Sequence, residues 1–131
     1  MLLLTNCRQK GDAEVRRNLP GSWIAAGPDS AGGHFSNMIT VARDGDYVAH
    51  VVTQYSSDGV ERTYETAGKF EVRDGMLIDT MTKHSNTNAV LPYTFRSRIV
   101  RFDGRELVLK AEPNDQVSFP TNDVVLRKVG R

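Results

Sequence analysis

Polar and apolar positions alternate along much of this chain, and four Asp-Gly pairs cut the alternation into segments. The clearest segment runs from Arg62 to Arg73. Tyr64, Thr66, Gly68, Phe70 and Val72 fall on one face, and Thr63, Glu65, Lys69, Glu71 and Arg73 on the other, with Ala67 as the apolar exception. A period of two belongs to a β-strand, whose successive side chains point to opposite faces. The same rule turns Tyr93, Phe95, Ser97 and Ile99 inward and Thr94, Arg96 and Arg98 outward. It sets Leu107, Leu109 and Ala111 against Glu106, Lys110 and Glu112, and groups Phe35, Asn37, Ile39 and Val41 on one face. Segments 47–56 and 76–84 are ambiguous, because both faces carry apolar residues. In the first, Tyr47, Ala49, Val51 and Tyr55 oppose Val48, His50 and Val52. A strand apolar on both sides is expected to be covered on both, by the N-terminal helix or by another molecule.

The Asp-Gly pairs are Asp44-Gly45, Asp58-Gly59, Asp74-Gly75 and Asp103-Gly104. Tight hairpin turns need positive φ, which Gly supplies without steric cost. The spacing predicts eight strands, over 22–27, 35–42, 47–56, 62–73, 76–84, 93–102, 106–112 and 122–129. Connections this short favour neighbour-to-neighbour pairing, an antiparallel up-and-down meander. Eight such strands close into a barrel that is filled by side chains or holds one small ligand. Closure also removes exposed sheet edges. Before the first strand, residues 12–19 read as a short helix, with Asp12 able to cap and Ala13, Val15 and Leu19 turned partly inward. Pro20 and Gly21 end it. The expected division is therefore a tether or signal remnant over 1–11 and a barrel domain over 12–131.

In an up-and-down barrel alternate connections share an end. Connections 28–34, 57–61, 85–92 and 113–121 then lie at one mouth, and the turns at Gly45, Gly75 and Gly104 at the other. Function concentrates on long loops carried by a rigid scaffold. A ligand or partner is expected at the long-loop end, near His34, Tyr55, His84, Asn86 and Tyr93.

Composition changes this picture little. A chain of 131 residues, 39% hydrophobic and 25% charged, is ordinary for one globular domain. A formal net charge of +1 provides no field for nucleic acid or an anionic membrane. Twelve of the basic residues are Arg and five Lys. Arg96, Arg98 and Arg101 are not interleaved with exposed aromatics, so no nucleic-acid partner is expected.

Cys7 is the single cysteine and excludes an internal disulfide. It follows Met1-Leu2-Leu3-Leu4-Thr5-Asn6 and precedes the polar run Arg8-Gln9-Lys10-Gly11-Asp12. This resembles the end of a bacterial lipoprotein signal peptide, with Leu4 three residues before a lipidated Cys. Asn6 departs from the small residue usual there, and the basic n-region is missing. Two readings stand: a truncated leader with Cys7 as a lipidation site, or a free thiol in a frayed terminus. The first implies a bacterial envelope or periplasmic address and the second a cytoplasmic one. Membrane contact is expected only through a lipid anchor on Cys7.

Leu19-Pro20-Gly21-Ser22-Trp23 places Gly-x-Trp at the start of the first strand, and Arg127 stands in the last. Asp44-Gly45-Asp46-Tyr47 adds an Asp-Gly hairpin followed by Tyr. Residues 19–129 thus resemble the lipocalin-like (calycin) barrels, in particular the small domains of bacterial lipoproteins. The resemblance implies that Trp23 closes the barrel floor, with Gly21 before it and Arg127 packed over the indole as a cation–π plug. It also implies a small apolar or amphipathic ligand. The later-loop Thr-Asp-Tyr motif of full lipocalins and the Arg-x-Tyr end of fatty-acid-binding proteins are both missing, which weakens a lipid ligand.

Candidate chemistry is sparse. No nucleophile elbow, phosphate loop or zinc signature occurs, and no enzyme activity or cofactor is expected. His34, His50 and His84 lie on separate segments without metal-ligand spacing. Asp79 sits within Met76-Leu77-Ile78-Asp79-Thr80-Met81. An inward carboxylate is costly unless paired and would mark a site, so the expected orientation is outward. The inward polar residues Asn37, Thr66 and Ser97 can bond a ligand, one another or ordered water. Two functions compete. One is a ligand-binding barrel using Tyr64, Phe70, Tyr93, Phe95, His34 and His84. The other is a filled barrel that interacts through its surface. An interior cavity above about 300 Å³ favours binding.

Overall fold

A computed structural model of the chain describes residues 11–28, 33–54, 58–86, 88–112 and 124–130. Its strands are β1 (Gly21–Pro28), β2 (His34–Val41), β3 (Asp46–Gln54), β4 (Glu61–Arg73), β5 (Met76–His84), β6 (Tyr93–Phe102), β7 (Glu106–Ala111) and β8 (Val124–Lys128). They form a closed barrel in sequence order. Every pairing is antiparallel, and β8 closes on β1 with Ala25 opposite Leu126 and Trp23 opposite Lys128. The predicted up-and-down barrel is the observed fold. Tyr55, parts of the long loops and the region around Cys7 lie outside the described residues.

Turn chemistry explains the connections at one end. At Asp74-Gly75 both central residues have positive φ, 55° and 73°, as a two-residue hairpin of the strand-matching hand requires. At Gly45 the backbone comes close to the neighbouring strand: Phe70 N–H donates to the Gly45 carbonyl at 2.9 Å. A Cβ on Gly45 would lie 2.5 Å from the Phe70 carbonyl oxygen, so only glycine fits there. Between β4 and β5 the register shifts at Ala67/Gly68. The extra residue on β5 re-aims its C-terminal end, and His84 faces Thr66 across the pair.

The helix, α1, covers residues 11–18. It stops there because a residue before proline is pushed out of helical φ/ψ, and Leu19 precedes Pro20. Asp12 is buried, and its Oδ1 accepts a bond from Gly75 N–H at 3.0 Å. Asp12 thus ties α1 to the β4–β5 turn instead of capping it. Arg16 donates to the Val72 carbonyl at 2.7 Å, and Val15 and Leu19 are buried in the core. The helix therefore seals the short-turn end of the barrel and does not cover an outer wall. On that wall Val48 remains 59% exposed opposite Thr40 of β2, and Met38, two residues along β2, lies opposite Ile24 of β1.

Trp23 fills the sealed end. It is 1% exposed and its indole N–H donates to the Leu19 carbonyl at 2.8 Å. The cation over its ring is Lys128, whose Nζ is 5.3 Å from the ring centroid, and not Arg127. Alternation gives the reason. Leu126 points inward, so Lys128 does as well, whereas Arg127 points out and pairs with Glu106 at 3.2 Å. Arg101, with Arg127, holds the Glu106 carboxyl below the usual range. Lys128 also donates to the Asn18 carbonyl at 2.6 Å, fastening α1 to β8. Gly21, at φ 130°, leaves room for this side chain: a Cβ there would lie 3.0 Å from Lys128 Cε.

Candidate functional site

Inward side chains are large at the sealed end, smaller in the middle of the barrel and large again toward the long loops, at Phe35, Tyr64 and Phe95. Trp23, Leu107, Val41, Val72 and Leu77 pack the sealed half. Above them stand smaller or polar residues, namely Ala25, Asn37, Ala49, Thr66, Ser97 and Ala111. The result is a cavity of about 290 Å³ in the upper barrel, lined also by Tyr64, Phe70, Phe95 and Asp79. Its volume falls just short of the roughly 300 Å³ at which ligand pockets begin. The barrel is therefore filled at one end and hollow toward the long loops.

One polar cluster interrupts the apolar wall. Tyr47 Oη donates to Asp79 Oδ1 at 2.5 Å, reaching from β3 to β5, and the Thr66 hydroxyl bonds the same phenol. The Tyr47 ring is buried and stacks on Phe70 with centroids 4.2 Å apart. Burial raises its phenol above the usual range, and the Asp79 charge adds to that. Burial likewise pushes the Asp79 carboxyl up to about 6, while the Tyr47 bond acts in the opposite direction. Asn37 lines the same cavity, and its Oδ1 is buried without a hydrogen-bond partner among the described residues. Such an orphaned acceptor is rare in native interiors and calls for an explanation.

Asp79 thus faces inward, against the expected outward orientation. It shares parity with Leu77, which is buried, whereas the outward neighbour Ile78 lies between Glu71 and Arg96 in register. Periodicity alone could not decide, because residues 76–81 are apolar on both faces. Tyr47 supplies the partner, but its own segment 47–56 is equally apolar on both faces, so alternation pointed neither residue inward.

Of the six side chains expected to bind a ligand, Tyr64, Phe70 and Phe95 line the cavity. Tyr93 packs on Phe95 with centroids 4.4 Å apart, outside the cavity wall. His84 stacks on Tyr64 at 4.9 Å, and its Nδ1 accepts from Asn86 N–H, so both belong to the rim. A shallow groove of about 420 Å³ runs over that rim between Thr53, Arg62 and Ser85. His34 is exposed on the outer face, because it alternates with inward Phe35, and it does not reach the cavity. Among the described residues no three His, Cys, Asp or Glu side chains come together as metal ligands.

No protein-family model matches the chain, and no curated protein matches it in sequence. Its fold is similar to a solved structure described as the de novo design of a fluorescence-activating β-barrel. The TM-score is 0.53 at 17% identity, over 88% of this chain and 97% of that one. This likeness supports the eight-stranded barrel and nothing finer.

Proposed function

We propose that this protein binds a small, partly apolar ligand in the upper half of its barrel. The carrying observation is the cavity of about 290 Å³, whose mostly apolar wall also holds Asp79, Thr66, Ser97, Asn37, Arg96 and the Tyr47 and Tyr64 hydroxyls. A filled structural core would close this space, since interiors pack to crystal-like density. The helix seals the opposite end, so entry is from the long-loop mouth, across the rim formed by Tyr64 and His84.

A neutral apolar dye, 1-N-phenylnaphthylamine, tests the reading. Its emission is expected to rise saturably on addition of the protein. Ser97→Phe, which fills the wall between Leu77 and Ala111 in register, is expected to weaken dye binding at least about tenfold. Cooperative unfolding of the variant checks that it folds, and Ala111→Leu serves as a milder second filling. No emission change with wild type, or undiminished binding by both folded variants, would contradict the proposal.

A second reading, an interaction role through the outer wall, is favoured by the exposed Ile24, Met38 and Val48 on adjacent strands.

The address in our reading is the bacterial cell envelope, through lipid on Cys7. It is supported by Leu4 and the polar run after the cysteine. Labelling with radioactive palmitate in the native host is expected to mark the protein, and Cys7→Ser to abolish the mark. An unlabelled wild type in the cytoplasm would refute it.

A further inference from the structure

The inward polar groups of the cavity are matched to a donor. Asp79 presents a carboxylate with Tyr47 Oη as its one hydrogen-bond donor among the described residues, and it takes part in no ion pair there. Asn37 presents an acceptor oxygen with none. The Tyr47 proton is committed to Asp79, and Thr66 is committed to Tyr47. A hydroxyl such as Ser97 can serve either way. Of the cationic side chains among the described residues, only Arg96 borders the cavity, and it is exposed and alternates with inward Phe95 and Ser97. A carboxylate in a low-dielectric cavity without a cation is costly, and a cation brought to it recovers much of that cost.

We propose, resting on the ligand-binding reading above, that the ligand is an amphipathic amine. Its ammonium group meets Asp79, and its apolar body lies against Phe70, Phe95 and Leu109. Ligands headed by a carboxylate are disfavoured, because they would place a second anion beside Asp79. A further N–H or O–H on the ligand would satisfy Asn37.

The groups that share the cavity with Asp79 bear on the pH response. They are Tyr47 from β3, Tyr64, Thr66 and Phe70 from β4, and Phe95, Arg96 and Ser97 from β6, with His84 at the rim. The titratable or charged groups among them besides Asp79 are Tyr47, Tyr64, Arg96 and His84, and the Tyr47 phenol stays protonated at neutral pH. Asp79 gains its proton as pH falls through about 6, and amine affinity is lost with the charge.

The test compares octylamine, octanol and octanoate with the full chain at about pH 7.5, each measured by displacement of 1-N-phenylnaphthylamine and by calorimetry. Octylamine is expected to bind about tenfold tighter than octanol, and octanoate more weakly than either. Asp79→Asn keeps an acceptor for Tyr47 and is expected to bring octylamine down to the octanol level. Octanol affinity is expected to be flat with pH and octylamine affinity to fall on acidification. Octanoate binding as tightly as octylamine, or an amine preference that survives Asp79→Asn, overturns the amine assignment while dye and octanol binding leave the ligand-binding reading standing. Failure of the dye and of all three probes to bind wild type overturns both.

Discussion

Trp23→Ala is expected to lower the stability of this barrel by about 3–5 kcal/mol, the range for large aromatic truncations in cores. The indole is 1% exposed and packs in one cluster with Val15, Leu19, Val41 and Leu107. Burying a Trp removes roughly 150–250 Å² from water, about 4–6 kcal/mol at 25 cal/mol per Å² before relaxation. The truncation also leaves the Leu19 carbonyl without its 2.8 Å donor at the point where α1 meets β1. Lys128 loses the ring beneath it but keeps its bond to Asn18. Trp23→Phe separates these contributions. It keeps most of the apolar area and loses the hydrogen bond, and is expected to cost about 1–2 kcal/mol. Denaturant unfolding measures both. A loss below about 1 kcal/mol for Trp23→Ala would mean that the indole does not carry the floor.

Asp79→Asn is expected to act in the other direction and stabilise the ligand-free protein at neutral pH. The carboxyl rises from 3.8 in the unfolded chain to about 6 in the folded one, mainly because burial disfavours its charge. Between those values the native state binds more protons than the unfolded state. Stability therefore falls as pH rises through that window, and the cost is fully present above about 6. Two pH units correspond to about 3 kcal/mol as an upper figure. The variant keeps an acceptor for Tyr47 but loses a charge-assisted hydrogen bond, which offsets part of the gain. The net expectation is about 1–2 kcal/mol of stabilisation near pH 8, shrinking to nothing below about pH 4. Measuring the difference between the two proteins across pH cancels the titration of their other groups. A variant less stable than wild type at pH 8 would show that the folded protein already compensates this charge. The same substitution is expected to remove the amine preference. Loss of binding together with a gain in stability is the signature of a residue placed for function, since active and binding sites often retain groups that destabilise the fold.

Much of this architecture was legible from alternation and turn chemistry. Strand boundaries came within a residue or two where both can be compared, because Asp-Gly and period two act locally and independently of the rest of the chain. The long-loop mouth followed from strand count alone. The errors arose where two faces looked alike or where the answer depended on parity at a terminus. Asp79 stood in a run apolar on both sides, so its direction was decided by Tyr47 two strands away. Lys128 and Arg127 are adjacent cations, and a one-residue difference in β8 sends one over Trp23 and the other to Glu106. His34 lay next to the mouth in sequence yet on the outer face. The cavity itself could not be read, because its volume is the residue of packing between walls far apart in sequence, where Ala49, Ser97 and Ala111 happen to be small.

The central claim is that the ligand enters the upper barrel and does not sit on its outer wall. Methyl chemical-shift mapping of the labelled protein during titration with 1-N-phenylnaphthylamine tests it most directly. The lumen methyls of Ala49, Val51, Leu77 and Leu109 are expected to shift together and saturate, with those of Ile24, Met38 and Val48 unmoved. Shifts confined to Ile24, Met38 and Val48 would contradict the account and assign function to the outer surface.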